Sequence, residues 1–112
     1  MAVNPDLADW ARDLFGGLGE IQVKAMFGGA GVYCDGVMFA LIGRDDELYL
    51  KAEGVLASAL AAGGSTPFTY HRDGAPRTMG YWRIPEDGLD DPEEACMWGA
   101  RSLDIARAAK RG

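Results

Sequence analysis

A single histidine, His71, and two cysteines, Cys34 and Cys96, hold most of what nucleophilic or metal chemistry this chain offers. One histidine rules out a His-based zinc cluster or a His pair within the chain. His71 has the chemistry to act as base to Cys34 or Ser65, but no spacing brings them together, and a histidine beside Arg72 in a strand-like run reads as a surface residue. Cys34 borders a tight turn inside an apolar run, a setting that raises a thiol pKa and blunts reactivity. Without a CxxC spacing, both cysteines read as small apolar side chains. The carboxylates of Asp45-Asp46-Glu47, and of Glu86-Asp87 through Glu94, fall in polar connections or helix starts. No pair of them faces an apolar pocket where its pKa would shift usefully. No catalytic residue, metal or cofactor is expected.

Two other patterns invite chemistry. Gly28, Gly29 and Gly31 resemble a phosphate loop, yet no Gly-Lys-Ser/Thr follows and the next element is a strand. These glycines instead mark a bend or bulge where backbones approach closely. Phe68, Tyr70, Tyr81 and Trp82, interleaved with Arg72, Arg77 and Arg83, resemble a platform for stacking single-stranded bases. Aromatics also simply suit strands, with arginine stems flanking them. With 11 basic against 17 acidic residues the net charge of −6 opposes a broad phosphate footprint, while leaving room for a local basic face. Specific DNA binding by this chain alone is not expected.

The elements that would position these groups are legible from local signals. Asp35-Gly36 sits between apolar runs and predicts a two-residue hairpin loop with positive φ at both positions. That loop pairs Cys34 with Val37, Tyr33 with Met38, Val32 with Phe39 and Gly31 with Ala40. Alternation then puts Val32, Cys34, Val37, Phe39 and Leu41 on one face, and Gly31, Tyr33, Met38, Ala40 and Ile42 on the other. Neither face is polar, so the hairpin needs cover on both sides. The flanking helices supply one cover and a second copy of the chain the other, which predicts a homodimer through Tyr33, Met38 and Ile42. Residues 48–51 resume a strand, and residues 21–26 alternate as a first strand that merges into or precedes the next.

Asn4-Pro5-Asp6 reads as a helix start, with Leu7, Trp10, Ala11, Leu14 and Leu18 as its buried stripe. Residues 55–62 form a short, largely covered helix ended by Gly63-Gly64. Residues 66–72 and 78–84 form a second hairpin around Asp73-Gly74-Ala75-Pro76. Asp91 caps a last helix with Ala95, Trp98, Ser102, Ile105 and Ala106 on its apolar stripe. The result is one α+β domain over residues 1–112: an antiparallel sheet of about five strands with flanking helices, in the order α-β-β-β-α-β-β-α. No apolar run is long enough to span a bilayer and no leader pattern opens the chain, which leaves the cytoplasm as the expected location.

Met26-Phe27-Gly28-Gly29, Gly31-Val32-Tyr33, Asp35-Gly36-Val37-Met38-Phe39-Ala40 and Leu48-Tyr49-Leu50-Lys51 appear in that order. Pro67-Phe68-Thr69-Tyr70, Met79-Gly80-Tyr81-Trp82, Pro85 and Trp98 follow. This ordered set resembles the N-terminal domain of the TfoX/Sxy family of bacterial competence regulators. The resemblance implies a sheet with flanking helices similar to small secretion-chaperone-like folds. It also implies a regulatory, non-catalytic character and a protein partner, and it transfers no catalytic residue. TfoX/Sxy regulators carry a second, helical domain, whereas this chain stops at Gly112, so a competence role is not expected to carry over whole. The alternative function is a small-molecule-binding or enzymatic domain with a pocket beside the second hairpin.

Overall fold

The computed structural model describes residues 5–26 and 29–111. The expected cap at Asn4, together with Phe27 and Gly28, lies outside them. Helix α1 (Pro5–Phe15) leads through a 3-10 turn (Gly16–Leu18) into four consecutive strands: β1 (Ile21–Met26), β2 (Gly29–Cys34), β3 (Val37–Ile42) and β4 (Leu48–Lys51). Helix α2 (Gly54–Ala62), the hairpin β5 (Pro67–Arg72) and β6 (Ala75–Arg83), a second 3-10 turn (Glu86–Gly88) and α3 (Pro92–Arg111) complete the chain. The strands form one antiparallel sheet in the order β1-β2-β3-β4-β6-β5. The α+β class is as the sequence predicts, with six strands rather than five because residues 21–26 stand as a strand of their own.

Local turn chemistry builds both hairpins. Asp35 and Gly36 have φ of 52° and 83°, and Asp73 and Gly74 have 55° and 77°. Both are two-residue loops with positive φ at each position, the geometry whose twist matches that of the flanking strands. The second loop is tighter than expected: Ala75 and Pro76 belong to β6, where Pro76 faces His71. A Pro is tolerated there because β4 pairs only with Tyr81–Arg83, so this length of β6 has a free edge. Replacing Gly36 with Val places a β-branched residue at positive φ. We expect a loss of about 1–2 kcal/mol in chemical denaturation, with the fold kept.

The register of the first hairpin departs from the simple ladder. Cys34 faces Val37 and Tyr33 faces Met38, as expected, but Val32 faces Ala40 and Gly31 faces Leu41. A bulge on β3 leaves Phe39 as the extra residue and reverses the alternation beyond it. Phe39, Ala40 and Ile42 therefore all join the main core, while Leu41 turns to the opposite face. The expected placements of Ala40, Leu41 and Ile42 are thus interchanged.

The main core lies between the sheet and the helices. Ala11, Leu14 and Phe15 of α1 and Ala95, Leu103 and Ala106 of α3 pack on Val32, Cys34, Phe39, Ile42, Leu48 and Leu50. Leu56 and Leu60 of α2 continue it against Trp82, Trp98 and Ile105. Contrary to the sequence reading, α2 is not mostly covered: Leu56 and Leu60 are buried while Val55 is 80% exposed. Trp10 donates from Nε1 to the Leu89 carbonyl at 3.1 Å, tying α1 to the loop before α3. Asp91 Oδ1 accepts from the amides of Glu93 (3.0 Å) and Glu94 (3.5 Å), the expected cap of α3. Ser102 is fully buried, and its hydroxyl has no hydrogen-bond partner among the described residues. Since an unsatisfied buried hydroxyl is a cost, Ser102→Ala should leave stability unchanged or raise it by up to about 1 kcal/mol in urea denaturation.

Candidate functional site: the helix-free face of the sheet

All three helices of the described residues contribute to the core on one side of the sheet, and none contributes to the cluster on the other. Alternation along each strand decides what the helix-free side presents. It receives Lys24 from β1, Tyr33 from β2, Met38 and Leu41 from β3, Tyr49 and Lys51 from β4, Phe68 from β5 and Tyr81 from β6. Leu41 (6% exposed), Tyr49 (7%) and Tyr81 (7%) form its centre, with Met38 and Phe68 packed against them. The Tyr49 and Phe68 rings meet edge to face with centroids 5.1 Å apart. Gly31 fits here because a Cβ would meet Tyr33 Cε1 at 2.9 Å and the sulfurs of Met26 and Met38 at 3.0 and 3.2 Å.

Polar groups edge this cluster. Lys24 Nζ sits 4.9 Å from the centre of the Tyr33 ring, and Lys51 Nζ sits 5.4 Å from that of Tyr81. Ammonium over a ring face is an attractive arrangement, and it also caps the ring. Lys51 reaches Glu53 at 3.7 Å, and Arg83 pairs with Glu47 at 2.8 Å. The Tyr49 hydroxyl donates to Asp45 Oδ2 at 2.8 Å, while Asp45 Oδ1 accepts from the Glu47 amide and shapes the β3–β4 turn.

Burial, then the bond to Asp45, pushes the Tyr49 phenol up to about 12. Burial, with Tyr33 nearby, raises that of Tyr81. A phenol whose folded pKa exceeds its unfolded value of about 10 favours the fold while protonated. Its contribution is complete below pH 10 and is lost as pH rises toward 12. Thermal stability should therefore fall between about pH 10 and 12, and Tyr49→Phe should flatten part of that fall in a melting series.

The residues singled out by sequence divide between two sides. Tyr33, Met38, Tyr49, Lys51, Phe68 and Tyr81 are brought together on the helix-free face, and the Met26 sulfur lies beside Gly31. Phe39 and Trp82 lie on the helix side as core. Asp35 and Gly36 form the hairpin loop, where Arg107 Nη2 reaches Asp35 Oδ2 at 3.7 Å. Gly29 is a close-approach position against the β3 backbone. Tyr70 is exposed on the β5–β6 hairpin. Arg83, read from sequence only as part of a stacking platform, belongs to the face, as do Lys24 and Leu41, which were not singled out as site residues, although alternation in β1 was signal enough for Lys24.

Among the described residues, His71, Cys34 and Ser65 are not brought together. Cys34 is fully buried beneath the helices, its thiol pushed up by burial and the Asp35 charge against the opposing pull of Arg107. His71 is exposed on the far hairpin. Among the described residues no group of three His, Cys, Asp or Glu is placed to hold a metal ion. No described helix is long and apolar enough to cross a membrane.

A cleft of about 490 Å³ opens on the helix side at the base of the β5–β6 hairpin, lined by Leu60, Ser65, Leu89, Trp98, Glu86 and Asp87 among others. The Ser65 hydroxyl there is already spent on the Arg83 carbonyl at 2.7 Å.

No curated protein matches the chain. The family model described as the TfoX N-terminal domain matches residues 13–106, a span that takes in all six strands, α2 and most of α3. The chain belongs to the TfoX N-terminal domain family.

Proposed function

We propose that this chain is a non-enzymatic protein-interaction module that docks its partner on the helix-free face of the sheet. The observation that supports this most is the one-sided placement of the helices. Among the described residues no layer covers this sheet face, and it presents half-exposed Tyr33, Met38 and Phe68 rimmed by lysines. Aromatic residues and methionine are enriched at protein interfaces. The regulatory, transcription-accessory character implied by the resemblance to TfoX/Sxy regulators is part of this reading, and so is a cytoplasmic setting. The scatter of His71, Cys34 and Ser65 favours a non-enzymatic role. The cleft beside the second hairpin is where a ligand-binding reading would have to place its ligand.

A second copy of the chain counts among the partners. Ile42 and Leu41 are already covered, which leaves Tyr33 and Met38 as the apolar residues on β2 and β3 for a two-fold contact to bury. Such a contact is weak and concentration-dependent. Sedimentation equilibrium should show mass rising with concentration, and Met38→Lys or Tyr33→Glu should hold it near 12.0 kDa. The module reading is tested by affinity capture from native cells with wild type, Tyr33→Glu and the helix-side variant Val55→Lys. Loss of captured protein with Tyr33→Glu alone supports it, and loss with Val55→Lys alone rejects it.

A further inference from the structure

The protein carries six more acids than bases, yet not every cation on the helix-free face is matched by a carboxylate there. Six carboxylates crowd the single run 86–94, on the helix side before and within the start of α3. On the helix-free face, Lys24 has no ion-pair partner among the described residues, and Lys51 meets Glu53 only at 3.7 Å. The carboxylates that do reach this side are engaged: Glu47 with Arg83, and Asp45 with the Tyr49 hydroxyl. Beyond the cluster, Tyr70 and Arg77 are cross-strand partners on the β5–β6 hairpin and so share a face. Arg77 and Arg72 are exposed and have no ion-pair partner among the described residues. In so acidic a chain, the side chain of the cluster left without an opposite charge among the described residues is thus a lysine, Lys24.

We propose that the segment docking on this face is acidic, a stretch of partner protein whose carboxylates meet Lys24 and Lys51 while its apolar side chains cover Tyr33, Met38 and Phe68. This rests on the interaction-module reading above and names the chemistry of the partner. The same charges would also draw a single-stranded nucleic acid, but the rings argue for protein. Tyr49 and Tyr81 are 7% exposed, and ammonium groups stand over Tyr33 and Tyr81, so their faces are not free for bases. A carboxylate needs no ring face. It needs an ammonium group with a phenol nearby, which Lys24–Tyr33 and Lys51–Tyr81 each supply.

The test uses the full chain and three fluorescent probes: a twelve-residue peptide of alternating glutamate and valine, its lysine–valine counterpart, and a twelve-nucleotide oligothymidylate. Anisotropy should show binding of the glutamate peptide, weakening with salt, and none of the lysine peptide. Amide chemical shifts should move at Tyr33, Lys51 and Tyr81. Lys24→Glu/Lys51→Glu should weaken that binding about tenfold with the fold retained in the amide spectrum, and Lys24→Arg/Lys51→Arg should restore it. The proposal is overturned if the lysine peptide binds as tightly, if the oligothymidylate outcompetes the glutamate peptide, or if the shifts fall on α2 and α3. Failure here, with Tyr33→Glu still abolishing capture from cells, removes the acidic partner and leaves the interaction module standing. Loss of both removes the module.

Discussion

Gly29→Ala should destabilise the fold by about 3 kcal/mol or more, a large share of the total stability of a domain this size. Gly29 opens β2 opposite Met26, and β3 runs directly across from it. A Cβ built there would overlap the Ile42 carbonyl oxygen and crowd the carbonyl carbons of Ile42 and Gly43 at 3.1 and 3.2 Å. All three are backbone atoms, which cannot rotate aside as a side-chain end does, so the two strands must part. Gly36→Ala is the matched control. Its Cβ meets nothing within 4 Å, leaving only the φ of 83° to oppose it, worth about 1 kcal/mol. Chemical denaturation of both variants checks the contrast, and equal stabilities would mean that β2 and β3 are not this close.

Phe39→Ala should cost about 3–5 kcal/mol, since it removes a large, fully buried ring and leaves a cavity. Phe39 is both the extra residue of the β3 bulge and the edge-to-face partner of Phe15, with ring centroids 5.1 Å apart and planes at 82°. Its loss therefore loosens α1 from the sheet as well as emptying the core. Phe68→Ala is the comparison on the opposite face. Phe68 is half-buried at the margin of its cluster, so about 1–2 kcal/mol is expected with the fold kept. Urea midpoints separate the two cases, and a larger loss at Phe68 would invert the assignment of core and docking face.

The parts of this structure that were legible in the sequence are those decided within a few residues. Asp35-Gly36 and Asp73-Gly74 each specify a two-residue turn, and Asp91 caps α3 with its own side chain. The bulge at Phe39 was not legible, for a physical reason. A one-residue slip is normally betrayed by a polar side chain turning inward, but β3 reads Val-Met-Phe-Ala-Leu-Ile, and either register buries apolar groups. The side the helices take was legible near the turn, where Val32, Cys34 and Phe39 lie under the helices and Tyr33 and Met38 do not. Sequence did not show that Leu41, Tyr49 and Tyr81 shield one another at the centre of the other face, with Met38 and Phe68 packed around them. For the candidate site, its tyrosines and Lys51 were legible as motif residues, but the sorting of charge onto one side was not. That sorting depends on where Lys24 and Lys51 stand relative to the run 86–94, which only the sheet order settles.

The central claim is that the helix-free face is the docking surface, and photo-cross-linking in the native cell tests it most directly. A benzoylphenylalanine installed at Met38 stands on that face, half-buried at the edge of its cluster. The same group at Met97, 52% exposed on α3, serves as the counterpart. The account predicts a discrete covalent adduct from position 38, lost on Tyr33→Glu, and none from position 97. An adduct from position 97 with none from position 38 would contradict it.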